Sequence, residues 1–288
     1  PDNPEVIYPV AMLALQHGDT TTGRKQLEHL LSTEFPDKST IHFFLGQLDQ
    51  EQKQTDDALA HYHQVITGEQ YIPARSRTAQ ILVQQGKINE ARDILHNTRS
   101  SSNAERTQLI LTESQLLREA NRQNDAYIVL EAALTSQPDN LELLYETALT
   151  AERIGKPEQL DKHLKHLLEL KPDHAHALNA LGYSWTERNI RLPEALALIA
   201  RALSLSPEDP FIMDSMGWVL FRQGKLPEAL QTLENAYKLK ADPEIAAHLG
   251  EVLWVSNRKD DARRLLTDAA KANPDNDVLN GAIKKLLP

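Results

Sequence analysis

The side chains able to do chemistry in this 288-residue sequence are its eleven histidines and several adjacent carboxylate pairs; cysteine is absent, which excludes thiol and disulfide chemistry. Metal ligation from one helix needs side chains three or four residues apart, because those share a face. His61-x-His63 and His174-x-His176 are two apart and point to different faces, whereas His163 and His166 share one. That pair is flanked by Lys162 and Lys165, with no third His, Cys or suitably placed carboxylate, so no metal site is expected and these histidines read as surface residues of amphipathic helices. Asp56-Asp57 and Asp260-Asp261 read as residues preceding helices, where caps and dipole partners sit, rather than as acid–base pairs. Gly-x-Ser-x-Gly, Gly-x-Gly-x-x-Gly, a phosphate-binding loop and His-Glu-x-x-His are all missing. The expectation is a protein that is not an enzyme, with no catalytic residue, no cofactor and no metal.

Charge narrows the partners. The formal net charge is −10 and the basic residues form no stripe, which argues against nucleic acid. No run of eighteen apolar residues is present, so no membrane span is expected. With 41% hydrophobic and 25% charged residues the composition is that of a chain that builds a core. The opening Pro1-Asp2-Asn3-Pro4 has neither Met nor signal character, and reads as the start of a piece of something longer.

The elements that carry these residues repeat. Ala180-Leu181-Gly182-Tyr183, Ser215-Met216-Gly217-Trp218 and His248-Leu249-Gly250-Glu251 recur 35 and 33 residues apart. Followed backwards, the small residue becomes Ala148, Ser114, Ala79, Gly46 and Ala11, so eight units of about 34 residues are anchored from Ala11 to Gly250. Twelve residues after each anchor, thirteen in the sixth unit, comes a second column of Gly23, Ala58, Ala91, Ala126, Leu160, Ala195, Ala229 and Ala262. Four residues further stands a large apolar column: Leu27, Tyr62, Leu95, Leu130, Leu164, Ile199, Leu233 and Leu266. Small residues that admit a neighbouring backbone, alternating with large ones at helical spacing, predict a hairpin of two helices per unit. Pro157, Pro193 and Pro227 mark the starts of second helices, where a missing N–H costs nothing. Asp209-Pro210 and Asp242-Pro243 read as caps of first helices, and Gly86, Gly155 and Gly224 as the turns within hairpins. Pro138, Pro172, Pro207 and Pro274 close second helices.

Leu181-Gly182-x-x-Trp185, the alanine opening each second helix and the closing proline resemble the tetratricopeptide repeat (TPR). The resemblance covers residues 4–274, and implies an all-α, right-handed superhelical solenoid of about eight helical hairpins with first helices on the concave side. Residues 275–288 read as a C-terminal capping helix. Three departures stand out: Leu160 in a small-residue column, an insertion at Asn189-Ile190-Arg191-Leu192, and Pro9, which predicts a kink or a late start in the first helix.

In the register of that family, the groove-facing positions lie six and three residues before the anchor and one and four after it. Units two to four place mainly Thr40, Gln47, Gln50, Ser76, Gln80, Gln108, Gln115 and Arg118 there, with Phe43 and Leu111 as exceptions. Units five to eight place Tyr145, Asn179, Tyr183, Phe211, Asp214, Trp218, Phe221 and Trp254, which form the expected partner-binding set for a protein or peptide in the concave groove. The competing reading is that the rings of Trp218, Phe221 and Trp254 pack between repeats. If they instead face the groove, changing Trp218 and Tyr183 together to Ala removes binding and leaves the melting temperature near that of the wild type. A clamp for a C-terminal dicarboxylate is excluded, since Tyr183, Asp214 and Glu251 stand where its cations would be.

Ala177–Tyr183, Asp214–Val219 and Ala246–Trp254 further resemble proteobacterial TPR lipoproteins that partner a carboxyl-terminal processing protease. That resemblance implies a periplasmic adaptor tied to the outer membrane through a lipidated Cys upstream of Pro1. The alternatives are a cytoplasmic scaffold, or the TPR region of a larger enzyme, a glycosyltransferase or a protease, with its catalytic domain elsewhere.

Overall fold

A computed structural model describes residues 3–287. All regular structure among them is α-helical, in two compact units divided after Ser136. In the first unit the helices are α1 (Pro4–Gln16), α2 (Thr20–Leu31), α3 (Lys38–Glu51), α4 (Thr55–Gln64), α5 (Tyr71–Gln84), α6 (Ile88–Asn97), α7 (Asn103–Glu119) and α8 (Gln123–Ser136). The second unit holds α9 (Leu141–Arg153), α10 (Pro157–Leu170), α11 (Ala175–Glu187), α12 (Leu192–Leu205), α13 (Pro210–Arg222), α14 (Leu226–Leu239), α15 (Pro243–Val255), α16 (Lys259–Ala272) and α17 (Asp277–Leu286). Within each unit, every odd-numbered helix up to α15 pairs with the even one that follows. Each hairpin then packs on the next one within its unit, and α17 covers α15 and α16. Pro288, the last residue of the expected capping helix, lies outside the described residues.

The three sequence columns are the spine of this packing. Their members are buried in every repeat, and the large column is essentially without solvent contact. A Cβ added at Gly182 would stand 2.7 Å from Ile199 Cγ1 and 3.0 Å from the Ala195 carbonyl oxygen, so the anchor is small because the second helix lies against it. Leu160, the one large residue in the second column, is accommodated with no exposure.

The turn inside each hairpin has one solution, used eight times. Seven residues after each anchor stands a residue with positive φ: Gly18, Lys53, Gly86, Asn121, Gly155, Asn189, Gly224 and Asn257. A left-handed residue just past a helix lets the following N–H groups return to the last carbonyls, and Gly and then Asn reach that conformation at least cost. In the second unit the loop inserted at 189–192 needs a second left-handed residue, Arg191 at φ 49°, whose guanidinium lies 4.2 Å from the centroid of the Trp185 ring.

Helix ends follow the expected chemistry. Asp209 accepts hydrogen bonds from the backbone N–H groups of Phe211 and Ile212, and Asp242 caps α15 from Glu244 N–H. Prolines occupy the first turns of α10, α12 and α14. Two expectations are corrected. Helix α1 begins at Pro4 and carries Pro9 in its interior, so it does not start late. The Asp56-Asp57 and Asp260-Asp261 pairs lie inside the first turns of α4 and α16, with Gln54 and Arg258 at the cap positions, and they answer the helix dipole from there.

Candidate functional site

The odd-numbered helices of the second unit build one face, with α11 against α13 and α13 against α15. Tyr183, Asp214, Trp218 and Phe221 come together there around His248 of α15. Trp218 is 6% exposed; its ring stacks on the His248 imidazole at 4.3 Å and tilts against Phe221 at 5.1 Å. Its indole N–H donates to Glu187 Oε1 at 2.5 Å, which joins α13 to the last turn of α11. On one edge of His248, Nδ1 is 2.8 Å from Asp214 Oδ2; on the other, Nε2 is 3.5 Å from the Tyr183 hydroxyl. Three successive repeats are thus fastened through one imidazole.

Burial and charge act on these groups together. Burial alone would drive the His248 proton off, but the hydrogen bond and charge of Asp214, with Glu187 and Glu244, outweigh it and hold the imidazole pKa above its ordinary value. Tyr183 is pushed far up, first by burial and then by Glu187, Asp214, Glu244 and Glu152, so its hydroxyl stays protonated. Burial raises the Glu152 carboxyl, against the opposing pull of a Ser184 hydrogen bond and of Arg188. In this unit, two buried side-chain oxygens of the described residues are left without a hydrogen-bond partner, Asp214 Oδ1 and Asn179 Oδ1. They occupy the same position in consecutive repeats, three residues before the anchor glycines of α11 and α13.

The remaining expected residues stand apart from this cluster. Tyr145 is half-buried against the His174 ring at 5.6 Å, and His174 in turn caps α11 by accepting from Ala177 N–H. Phe211 is 42% exposed with Lys240 Nζ 4.3 Å from its ring centre. Trp254 is half-buried among Tyr237, Leu265 and the core of the last repeat, with Lys259 Nζ 5.2 Å from its ring. His248 and Glu187 lie at none of the four groove positions of the sequence register. The available signal for His248 was its place two residues before an anchor, where the two preceding repeats carry Ala180 and Ser215.

Other histidines are also placed differently from the sequence reading. His163 is 5% exposed, so it is a core residue and not a surface one. His166 pairs with Asp139 at 2.8 Å, and the hydrogen bond raises its pKa. In the first unit His42 and His61 meet with their Nδ1 atoms 2.9 Å apart, and His61 Nε2 is 3.7 Å from the buried Asp49. No cluster of three or more His, Asp or Glu able to hold a metal occurs among the described residues. The first unit's own odd-helix face is polar: Ser76, Gln80, Gln108, Thr112 and Gln115 line a cleft of about 300 Å³ with Phe43 at one side. No helix among the described residues is long and apolar enough to cross a membrane.

Comparison with known proteins agrees with this architecture. Tetratricopeptide-repeat models match residues 162–210 and 220–286. The chain is 41% identical over 210 residues to a TPR repeat-containing protein of Pseudomonas aeruginosa, a match covering 73% of this chain and 36% of that one. It is 28% identical over 118 residues to Protein FlbA of Caulobacter vibrioides, covering 41% of this chain and 20% of that protein. The chain therefore spans well under half the length of either relative. Among solved structures, a tetratricopeptide repeat protein of Parabacteroides merdae superposes over 99% of both chains with a TM-score of 0.60 at 15% identity. A thermophilic TPR protein of Thermus thermophilus, 23% identical, covers 62% of this chain and is itself covered over 98%, with a TM-score of 0.56. At such identities the likeness speaks for the fold. The chain carries tetratricopeptide repeats, and within each unit its hairpins stack as they do in tetratricopeptide-repeat proteins.

Proposed function

We propose that the second unit is a protein-binding scaffold whose contact face is formed by α11, α13 and α15. The observation that carries this reading is the set of rings left partly open on α11, α13 and α15, with Tyr183, Phe221 and Trp254 half-buried and Phe211 42% exposed. A partner that brings apolar surface covers these rings, which supply rigid contact area for it. Phe211 and Trp254 lie on α13 and α15 themselves, and Tyr145 on α9. The test is a photo-crosslinking residue, benzoyl-phenylalanine, placed at Phe221 or at Leu239 of α14 and irradiated in native cell extract. A partner adduct is expected from position 221 and not from 239; adducts from 239 alone, or from neither, overturn the reading.

The narrower reading is an adaptor for a carboxyl-terminal processing protease at the periplasmic face of the outer membrane. Its support is the resemblance of 177–183, 214–219 and 246–254 to TPR lipoproteins of that role. Mixing the chain with a proteobacterial protease of this class and following co-elution by size exclusion tests it. Separate elution at micromolar concentrations overturns the protease assignment and leaves the scaffold reading in place.

A further inference from the structure

We infer that the outer face of α1 receives a further helical hairpin, carried by the same polypeptide ahead of residue 1, whose second helix lies on Val6, Val10 and Leu13 as α2 lies on α3. This surface belongs to the first unit and is independent of the contact face of the second.

Helix α1 is apolar on two sides. Ile7 and Ala11 belong to the core that α1 and α2 share with α3. A second stripe, Val6, Val10 and Leu13, follows helical spacing on the solvent side, with 58%, 44% and 55% of each residue exposed. Pro9 lies beside it, and no charge interrupts it.

The repeat register says what such a stripe does elsewhere. Its members stand five and one residues before the anchor Ala11 and two after it. One repeat on, in α3, those positions are Ile41, Leu45 and Leu48, all buried in one core cluster with Leu27 and Leu30 of α2. The outer two of the three positions are buried in α5, α7, α11, α13 and α15 as well. Each of those helices packs on the second helix of the hairpin before it. Among the described first helices, α1 alone presents this column to solvent.

A repeat array stays soluble by ending in an element whose outer face is polar. Helix α17 is such an element: Leu279 and Leu286 are buried with Leu266 and Ala269 of α16, and Val278 is its one exposed large apolar side chain among Asp277, Asn280, Lys284 and Lys285. Helix α1 carries three such side chains on one face, the pattern of an inner helix. A second copy fits this face less well. Two chains joined along α1 would each contribute one short stripe, well under the roughly 600 Å² per partner of the smallest stable interfaces. The α16 face that could take α1 head to tail is already under α17. The occupant's chemistry follows from the helices that do this work within the chain: a large apolar residue followed three later by another apolar one, as in Leu27 and Leu30, Leu164 and Leu167, or Leu233 and Ala236.

The experiment uses the protein as its own gene encodes it, in its native cell, with benzoyl-phenylalanine at Val10 and, as a control, at the exposed Glu28 of α2. After irradiation and proteolysis, mass spectrometry identifies the joined peptides. Expected is an intramolecular link from position 10 to a helix ahead of residue 1 that bears the apolar pair, and no such link from position 28. Val10→Glu in that protein should quicken hydrogen exchange of the upstream hairpin by roughly tenfold or more. The same change in the 288-residue chain should leave the melting temperature at the wild-type value, because the position there faces water. A link from position 10 to a second copy or to another protein, or no link at all, overturns the inference. So does a gene that encodes no hairpin ahead of residue 1, unchanged exchange in the Val10→Glu protein, or an equal loss of stability in the 288-residue chain.

Discussion

The indole of Trp218 lies flat on the imidazole of His248, with ring centroids 4.3 Å apart and planes 18° from parallel. The two residues belong to consecutive repeats, so the stack is an inter-repeat joint as well as the floor of the proposed binding face. Solenoid stability is close to a sum of repeat and nearest-neighbour terms, which makes such joints individually measurable.

Trp218→Ala should cost about 3–5 kcal/mol, the range for emptying a buried aromatic site, because the ring is nearly inaccessible and holds both His248 and Glu187. It is therefore a stability variant, and the double change with Tyr183→Ala should lower the melting temperature clearly. Urea denaturation of Trp218→Ala beside Trp218→Phe, which retains a ring for the stack, checks this; equal stabilities would show that the stack contributes nothing.

His248 and His42 should give the two units opposite responses to acid. His248 is held above its ordinary pKa, so the stability it contributes is fully present below about pH 6.5, the unfolded value, and is lost as pH rises through the folded one. His42 is pulled below its ordinary value, by burial first and then by His61 and Lys38, so its contribution is lost as pH falls below about 6.5. Replacing His248 by Gln should remove stability gained on acidification, and replacing His42 by Gln should remove stability lost. Urea midpoints of the full chain between pH 5 and 8 supply the comparison, and slopes that shift in the same direction in both variants contradict it.

Gly182→Ala should destabilise by about 1–3 kcal/mol, since the new Cβ meets the Ala195 carbonyl oxygen at 3.0 Å and a backbone atom cannot step aside. Gly281→Ala is the internal control. It sits inside α17 with nothing within 4 Å of the added Cβ, and should stabilise by about 0.5–1 kcal/mol through helix propensity. Thermal melts of the two variants should move in opposite directions.

Lys53 is the one turn residue of the eight that is neither Gly nor Asn, at φ 60°. Left-handed backbone costs an ordinary L-residue roughly 1–2 kcal/mol, partly offset by the greater unfolded-state freedom of glycine, so Lys53→Gly should gain about 1 kcal/mol. Hydrogen exchange of the α3 and α4 amides should slow in that variant; unchanged protection would mean the turn carries no strain.

The hairpins were legible in the sequence because their causes are local. Three columns at spacings set by one helix turn and one hairpin, with prolines and caps at the joints, define the elements before any tertiary contact forms. The turn at anchor plus seven is equally local, though its Asn and Lys members are recognised only once Lys53, Asn121, Asn189 and Asn257 are seen to share the backbone of the glycines.

What the tertiary structure alone decided is which polar and aromatic side chains meet. His248 lies 34 residues from Asp214 and 65 from Tyr183, and Glu187 lies 31 from Trp218. Those contacts depend on how far each hairpin rotates on the last, a sum of packing interactions that no single repeat encodes. The same rotation buries His163 and Trp218 while it leaves Phe211 in solvent, although by periodicity Phe211 and Trp218 fall on the same face of α13.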